Sequence, residues 1–156
     1  MKLCLLLIGE TDDADLKPAI DRYATRLKHY ATFEMSVIKP PKKFKKLDIE
    51  ALKIAEGELI LESLSAQDLL VVLDENGKQF GSVAFSEKLQ KWLNGGHRRI
   101  VFLVGGAFGF SADVYTRANF KLGLSEMTLT HQMIRLLFVE QLYRAFTILK
   151  NEKYHH

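Results

Sequence analysis

Four short apolar runs, separated by longer segments with helical periodicity, constrain the fold of this 156-residue chain most strongly. They span residues 2–9, 33–38, 69–74 and 100–106, and a weaker fifth run spans 121–125. The runs are almost continuously apolar rather than alternating, which is typical of strands covered on both faces. The sequence therefore predicts an α/β protein with one mostly parallel sheet and helices on both faces.

Helix candidates fill the intervals between these runs and extend to the C-terminus. In each of them, apolar residues recur at helical spacing or a serine or aspartate stands ready to cap the first turn. The candidates are 14–30, 48–64, 82–94, 111–118 and 131–150. No internal repeat or low-complexity linker interrupts the alternation, so we predict a single domain over 1–156.

The last helix candidate, 131–150, is apolar almost all the way round. A helix that packs on one face of a sheet needs an apolar stripe about 100° wide, and here the stripe is much wider. The excess must be buried elsewhere. We expect a second copy of the chain to cover it in a homodimer; the alternative is a deeply buried helix at the centre of one molecule.

Composition limits the classes of function. The chain is 47% apolar, 26% charged and carries a net charge of +3, as many small globular enzymes do. The single cysteine, Cys4, lies in an apolar run and cannot form an internal disulfide, which favours a reducing compartment. No segment approaches the roughly 20 apolar residues of a membrane span, and the first run is too short for a signal peptide. We predict a cytoplasmic protein without a membrane partner.

The fourth apolar run ends abruptly in glycines, in the sequence VFLVGGAFGF at 101–110. Glycines after a strand let a ligand approach the backbone closely. Neither common phosphate-binding pattern of glycines is present. Because ligands bind at the carboxyl ends of parallel strands, Leu73 and Gly105 are expected at one edge of a pocket. The alternative is that the glycines only form turns.

Two further segments carry turn or charge signals. The stretch KPPKKFKK at 39–46 contains prolines, which predict a loop, and lysines suited to phosphates, with Phe44 suited to stack on a base. The alternative is a solvated surface loop. After the third strand, Asn76-Gly77 predicts a turn.

Polar residues on the last helix form two pairs, each four residues apart. His131 and Arg135 form the first, and Glu140 and Arg144 form the second, pointing in roughly the opposite direction. The alternative for Glu140 and Arg144 is an ordinary ion pair along a helix. The five histidines are scattered, so we predict no metal site, and no nucleophile motif for hydrolysis is present.

The C-terminal sequence LVGGAFGFSADVYTRANFKLGLSEMTLTHQMIRLLFVEQLYRAFTILKNEKYHH resembles the small SPOUT-class RNA methyltransferases. It is most similar to the RlmH family, which methylates N3 of a pseudouridine in large-subunit ribosomal RNA. MKLCLLLIGE, KIAEGELIL and VVLDENGKQFGS are similar to the same family, so the resemblance covers essentially the whole chain.

The resemblance implies properties that periodicity does not. It implies an α/β fold with a deep C-terminal trefoil knot, a feature that is rare among proteins. It also implies a homodimer with the site at the interface and S-adenosylmethionine as the cofactor, held by backbone amides and enclosed by apolar side chains. The implied cofactor contacts are Leu73, Gly105, Leu124, Ser125, Glu126, Met127, Thr128 and Leu129.

By the same resemblance, five residues surround the substrate: Arg135, Glu140, Arg144, Tyr154 and His155. His155 and Glu140 stay open as alternatives for the residue that takes the proton. The match of the tail favours a natural His155, whereas His156 is either natural or the remnant of a purification tag. Thr130 stands where relatives have proline, and its hydroxyl is suited to cap the helix instead.

The implied function is transfer of a methyl group from S-adenosylmethionine to N3 of a pseudouridine in 23S rRNA on the assembled ribosome. Two rivals remain: an RNA-binding protein without catalysis and a flavodoxin-like nucleotide-binding domain. The intact glycines 105, 106 and 109 and the complete tail argue against the first. The second lacks a convincing phosphate or phosphorylation site at the end of the first strand.

Overall fold

The computed structural model describes residues 1–155, and His156, whose origin was left open, lies outside them. The described chain contains one five-stranded sheet flanked by helices. The strands are β1 (Lys2–Ile8), β2 (Thr32–Ile38), β3 (Leu69–Lys78), β4 (Arg99–Val104) and β5 (Phe120–Leu122). The helices are α1 (Lys17–Leu27), α2 (Ile49–Glu62), α3 (Ser82–Leu93), α4 (Ala112–Arg117) and α5 (Met133–Leu149).

The strands lie in the order β2-β1-β4-β3-β5, and all four pairings are parallel. The prediction of a mostly parallel sheet is confirmed, and no strand of the described sheet runs against the others. β1 lies between β2 and β4, with Lys2 opposite both Thr32 and Arg99. Its backbone is paired on both edges, and residues 3–8 of β1 are all buried.

Alternate strand residues face two separate cores, one on each side of the sheet. Leu3 and Leu5 point toward α1, α3 and α5, whereas Cys4 and Leu6 point toward α2 and α4. This arrangement explains the nearly continuous apolar runs, since each strand is covered on both faces. The prediction of helices on both faces is confirmed. Burial also raises the pKa of the Cys4 thiol, which keeps it protonated and unreactive.

α5 packs against the sheet between α1 and α3. Much of its apolar surface is therefore buried within one molecule, including Phe138, Val139 and Leu142. Met133 and Leu137, one turn apart on the outer side, remain 37% and 38% exposed. The central-helix alternative thus accounts for most of the wide apolar stripe, and the homodimer stays a prediction.

The segment 39–46 is more ordered than the predicted loop. After Pro41 the chain forms a 3-10 helix over Lys42–Lys46, and the Leu47 amide closes it by donating to the Phe44 carbonyl at 3.1 Å. All four of its lysines are exposed. The prolines prevent an α-helix from starting earlier but leave room for this short helix.

The predicted turn at Asn76-Gly77 is wrong. β3 continues to Lys78, and Leu122 of β5 pairs with both Leu73 and Lys78, so the intervening residues bulge. Gly77 is not among the described residues with positive φ, which a tight Asn-Gly turn requires. A Cβ on Gly77 would lie 2.6 Å from the Gly123 nitrogen. Glycine is needed here because β5 approaches closely.

The remaining boundaries agree with the sequence to within a few residues, except that β5 is shorter than 121–125 and begins one residue earlier. Within residues 1–155, no helix has the length and apolar character to span a membrane. The C-terminal trefoil knot stays a prediction.

Candidate functional site

A cavity of about 650 Å³ opens at the carboxyl edge of the sheet, and we call it the edge cavity. Three segments form it: the end of β3, the glycine segment after β4, and the loop that joins β5 to α5. They cover 73–76, 104–110 and 124–131, with Tyr115 and Ile134 closing the sides. The volume lies in the range of ligand sites in proteins. The predicted convergence of strand ends is confirmed.

The glycine segment folds tightly over this cavity. Gly109 has a φ of 84°, which favours glycine and allows the chain to reverse. A Cβ on Gly105 would lie 2.7 Å from the Phe110 ring, so this position is closed to larger residues. Gly109 thus forms a turn, whereas Gly105 lines the cavity and allows the Phe110 ring to pack closely against the backbone.

Seven of the eight predicted cofactor contacts line the edge cavity: Leu73, Gly105, Leu124, Ser125, Met127, Thr128 and Leu129. Glu126 belongs to the same loop, but its side chain is exposed and does not line the cavity. The Thr128 hydroxyl donates a hydrogen bond to Glu75 at 3.0 Å, which ties the loop to the end of β3. The role of these residues in cofactor binding stays a prediction.

Thr130, where the resemblance leads us to expect proline, lies three residues before the first residue of α5. Its hydroxyl accepts a hydrogen bond from the Met133 amide at 3.0 Å, and its carbonyl accepts one from the Ile134 amide at 3.1 Å. The threonine hydroxyl therefore bonds the first amide of α5, although Gln132 directly precedes the helix and its own side chain makes no capping bond. Side-chain capping satisfies an amide that would otherwise lack a partner at the helix start.

Asp74 and Tyr115 line the edge cavity and are among the residues that were not predicted as site residues. The Tyr115 hydroxyl donates a short hydrogen bond to Asp74, whose other oxygen accepts from the Asn76 amide at 2.8 Å. Burial, and then this hydrogen bond, raise the pKa of Tyr115 above its ordinary value. Asp74 had a usable signal, because it directly follows the apolar part of β3 at the carboxyl edge. Tyr115 had none, since it lies 41 residues further along.

Arg135 is fully buried and does not line the edge cavity. Its guanidinium donates to the Ile8 carbonyl at 2.9 Å, to the Gly9 carbonyl at 3.0 Å and to the Thr11 hydroxyl at 2.9 Å. A fourth bond, from Nε, reaches the His131 carbonyl at 3.1 Å. Burial lowers the pKa of Arg135, while nearby acids oppose that shift. Arg135 therefore anchors the end of β1 to α5, and its predicted contact with the substrate stays a prediction.

The other four predicted substrate residues lie together at the far end of α5, and we call them the tail cluster. Arg144 donates to Glu140 at 2.6 Å, and its guanidinium lies 4.8 Å from the centre of the Tyr154 ring. The Tyr154 hydroxyl donates to the same Glu140 oxygen at 3.1 Å. Arg144 also donates to the His155 carbonyl at 3.4 Å.

These contacts shift two pKa values of the tail cluster. The hydrogen bond to Glu140 raises the pKa of Arg144. Burial and hydrogen bonds to Tyr23 and Glu140 raise the pKa of Tyr154. The Tyr23 and Tyr154 hydroxyls are 3.0 Å apart, so α1 also supports the tail. Hydrogen bonds therefore hold the tail cluster together, and Arg144 is its cation at neutral pH.

The tail cluster and the edge cavity are separate within one chain. α5 touches the cavity at Ile134, near its start, and His131 touches it from the turn before α5. Arg144 lies ten residues beyond Ile134, which is roughly 15 Å along a helix that rises 1.5 Å per residue. The ion pair that stood as the alternative for Glu140 and Arg144 does form, and it lies away from the edge cavity of the same chain.

No group of three or more histidines, cysteines, aspartates or glutamates within residues 1–155 is arranged to hold a metal ion. The acids of the edge cavity are instead engaged with hydroxyl or amide donors. Glu75 accepts from Thr128, and Asp74 accepts from Tyr115 and Asn76.

The fold and the cavity define the chain as a parallel α/β protein with a glycine-walled cavity at the carboxyl edge of its sheet, the place where open α/β sheets bind ligands. The chain belongs to the SPOUT methyltransferase family: the family model described as "Predicted SPOUT methyltransferase" matches residues 1–155.

Three named relatives, each from a different bacterium, resemble the chain over its whole length. A protein of Christiangramia forsetii is 54% identical over 100% of this chain and 99% of its own length. Proteins of Flavobacterium johnsoniae and Parabacteroides distasonis are each 52% identical over the same shares. All three are named ribosomal RNA large subunit methyltransferase H.

Proposed function

We propose that the protein transfers a methyl group from S-adenosylmethionine to N3 of a pseudouridine in 23S rRNA on the assembled ribosome. The observation that carries the proposal is the edge cavity, whose walls come from the glycine segment and the 124–131 loop of a SPOUT methyltransferase chain. The names of the relatives, which match over full length, support the ribosomal substrate. A single SPOUT domain over 1–156 in the cytoplasm completes the proposal.

The residues of the edge cavity suit S-adenosylmethionine. A cavity of about 650 Å³ accommodates a ligand of this size in a bent shape. Asp74 and Glu75 line it and give it a negative charge, which favours a ligand with a sulfonium and an ammonium group. Leu73, Leu124 and Leu129 supply apolar surface for an adenine ring. When bound, the cofactor supplies an electrophilic methyl group.

We propose that the active enzyme is a homodimer in which the edge cavity of one copy faces the tail cluster of the other. The separation of the two parts within one chain supports this arrangement. Exposed apolar side chains support it too: Met133 and Leu137 on α5 are 37% and 38% exposed, and Met127 at the cavity rim is 80% exposed. Burial of these side chains against a second copy would stabilise the dimer.

The tail cluster suits the chemistry of an imide nitrogen. N3 of pseudouridine becomes nucleophilic when its proton leaves, and negative charge then spreads to the flanking carbonyl oxygens. Arg144 is suited to stabilise that charge, because a guanidinium is protonated at neutral pH and presents several N–H donors. Glu140 and His155 remain alternatives for the residue that takes the proton, since both lie within the cluster.

The first experiment is transfer of labelled methyl from S-adenosylmethionine to ribosomes from a strain that lacks this modification. Intact ribosomes and separated subunits are compared. We expect label in 23S rRNA of intact ribosomes. Absence of cofactor binding would overturn the assignment as a methyltransferase, and label confined to other RNA would overturn the proposed substrate.

Mixing two inactive variants tests the composite site. Arg144→Ala removes the tail cluster's cation, and Leu129→Trp fills the edge cavity. In an equal mixture half of the dimers are mixed and each holds one intact composite site, so about a quarter of the wild-type rate is expected. A site built within one chain would leave the mixture inactive. Circular dichroism of each variant controls for folding.

A further inference from the structure

A second cavity, of about 950 Å³, adjoins the edge cavity on the other side of the glycine segment, and we call it the lysine-side cavity. Gly106, Ala107, Phe108 and His131 line both cavities. The remaining wall comes from the end of β1, the segment 40–47 and the first two turns of α2. The resemblance assigned no role to this cavity.

The mouth of the lysine-side cavity carries apolar side chains that are open to solvent. Leu47, Ile49 and Phe108 are 39%, 51% and 54% exposed, and all three line the cavity. Phe44, half-buried in the 3-10 helix, adds a second aromatic ring to the wall. A contiguous apolar patch with aromatic rings on a soluble domain marks a binding surface.

A basic 3-10 helix borders this cavity, whereas the wall itself holds one lysine, Lys45, and three carboxylates, those of Asp48, Glu50 and Glu56. Asp48 already accepts a hydrogen bond from the Ala51 amide, and Glu50 pairs with Lys53. Lys42, Lys43, Lys45 and Lys46 are exposed and form no ion pair with any residue of 1–155. Lys39 differs, because it pairs with Glu10 at 3.0 Å. Four unneutralised cations within five positions of sequence, beside aromatic rings, match a ligand with phosphates and a flat ring.

One carboxyl group faces the wall shared by the two cavities. Glu56 on α2 lies so close to Gly106 that a Cβ added there would be 3.0 Å from the carboxylate. Within residues 1–155 this carboxylate has no hydrogen-bond or ion-pair partner. Burial raises its pKa. A half-buried polar group without a protein partner is suited to receive one from a ligand.

We propose that the lysine-side cavity binds an unstacked nucleotide of the RNA substrate. The base lies against Phe44 and Phe108, Glu56 hydrogen-bonds the edge of the base, and Lys42 to Lys46 hold the adjoining phosphates. Because Gly106 to Phe108 separate this cavity from the edge cavity, the bound nucleotide lies beside the methyl donor. The inference rests on the proposed function, and it adds a location for the RNA next to the edge cavity.

Charge favours RNA over a second copy of the chain as the occupant. The chain itself carries a net charge of +3, so a second copy would bring further positive charge to the four free lysines that border the cavity. An apolar peptide would fill the cavity but leave these cations without partners. A nucleotide satisfies the rings, the carboxylate and the lysines together.

Ribosome methylation kinetics test the proposal. Phe44→Leu keeps the apolar contact but removes the ring, and we expect the KM for ribosomes to rise at least about fivefold, the low end for loss of one base stack. The dissociation constant for S-adenosylmethionine should stay unchanged. Ile54→Ala is the matched control, because Ile54 is 55% exposed on α2 and lies outside the cavity. An unchanged KM for Phe44→Leu would overturn the proposal.

The salt dependence of ribosome binding tests the lysines. Each phosphate contact contributes a slope of roughly 0.7 to 0.9 in log affinity against log salt, so Lys45→Gln combined with Lys46→Gln should lower the slope by about 1.5. Lys91→Gln on α3 removes a lysine from the opposite face of the sheet and should change it little. Equal slopes for the two sets would contradict the assignment.

Ultraviolet cross-linking to ribosomes, followed by peptide mass spectrometry, locates the contact directly. Cross-links at Phe44 or Phe108 are expected. Cross-links confined to other surfaces, or variants at Phe44 that change the oligomeric state instead of ribosome affinity, would sink the RNA assignment. A wild-type protein that binds neither ribosomes nor cofactor would instead refute the proposed function itself, so the two failures are distinguishable.

Discussion

Arg135 and Arg144 lie nine residues apart on the same helix, yet the fold uses them in different ways. Arg135 is fully buried and donates hydrogen bonds to carbonyls and a hydroxyl of its own chain. Arg144 keeps part of its side chain in solvent and pairs with Glu140 at 2.6 Å. One guanidinium holds two elements together inside the protein, whereas the other forms an ion pair at the surface.

The difference shows why residue type and spacing do not assign a role. Both arginines stand one helical turn after a polar residue, His131 and Glu140, in an apolar surround. Only the path of the chain after β1 decides that carbonyls surround Arg135. A buried cation with four hydrogen bonds is costly to remove, because its acceptors would then be left without donors.

Substitution of Arg135 should produce the largest effect on stability. Arg135→Met keeps the length of the side chain but leaves the Ile8 and Gly9 carbonyls without their donors. We expect a loss of about 3 kcal/mol or more in the free energy of unfolding, measured by urea denaturation. Arg135→Lys, which keeps the charge but fewer bonds, should lose less. A loss below about 1 kcal/mol for Arg135→Met would contradict the structural role assigned to Arg135.

Substitution of Arg144 should show the opposite pattern. Arg144→Met is expected to lower kcat for ribosome methylation about 100-fold, because it removes a cation that stabilises developing charge. The free energy of unfolding should fall by about 1 to 2 kcal/mol, less than for Arg135→Met, because the Glu140 ion pair and one long carbonyl bond are lost. Parallel measurement of kcat and urea denaturation checks both. A variant that unfolds as readily as Arg135→Met would refute the distinction.

The tyrosine pair behind the tail cluster gives a smaller effect. Tyr154→Phe removes hydrogen bonds to Glu140 at 3.1 Å and with Tyr23 at 3.0 Å. We expect a loss of about 1 to 2 kcal/mol in stability. A double-mutant cycle with Tyr23→Phe should give a coupling of at least about 0.5 kcal/mol. Strict additivity would mean that α1 does not support the tail.

Glu56 extends the comparison to a half-buried group without a partner, and its effect should be the smallest. Burial raises its pKa in the folded state above the ordinary 4.5, so the folded protein binds that proton more tightly than the unfolded chain. Stability is therefore lost as the pH rises through the folded pKa. Glu56→Gln should raise the melting temperature at pH 7 relative to wild type.

This gain in the Glu56→Gln variant should disappear when the pH falls below about 4.5, because wild-type Glu56 is then protonated in both states. Thermal denaturation at pH 7 and pH 4 provides the check. A stabilisation independent of pH would show that the carboxylate is solvated rather than strained by burial.

Apolar patterning predicted the fold well because the sheet is covered on both faces. Continuous runs such as 100–106 can be buried strands only if helices lie above and below, and this fixed the α/β class. The prediction of a turn at Asn76-Gly77 was wrong, because Gly77 is needed for the close approach of β5 and not for a turn. The sequence shows a glycine in both cases. Local sequence does not distinguish these two needs.

The candidate site was predictable in part. The carboxyl-edge rule located the edge cavity, and the resemblance supplied contacts such as Leu124 and Thr128. The Asp74–Tyr115 hydrogen bond and the burial of Arg135 depend on residues brought together over 41 and more than 120 positions of sequence. No local pattern encodes such distances. The lysine-side cavity is equally a product of how α2 meets the glycine segment.

Arg135 has a further consequence for the time course of folding. Its bonds to Ile8 and Gly9 join positions 127 and 126 residues apart, and β1 pairs with β4 almost 100 residues further along the chain. A chain synthesised from its N-terminus must therefore extend to the first turn of α5 before these bonds to the end of β1 can form. Such a high contact order predicts slow folding that is completed after synthesis, with β1 exposed to other partners in the meantime.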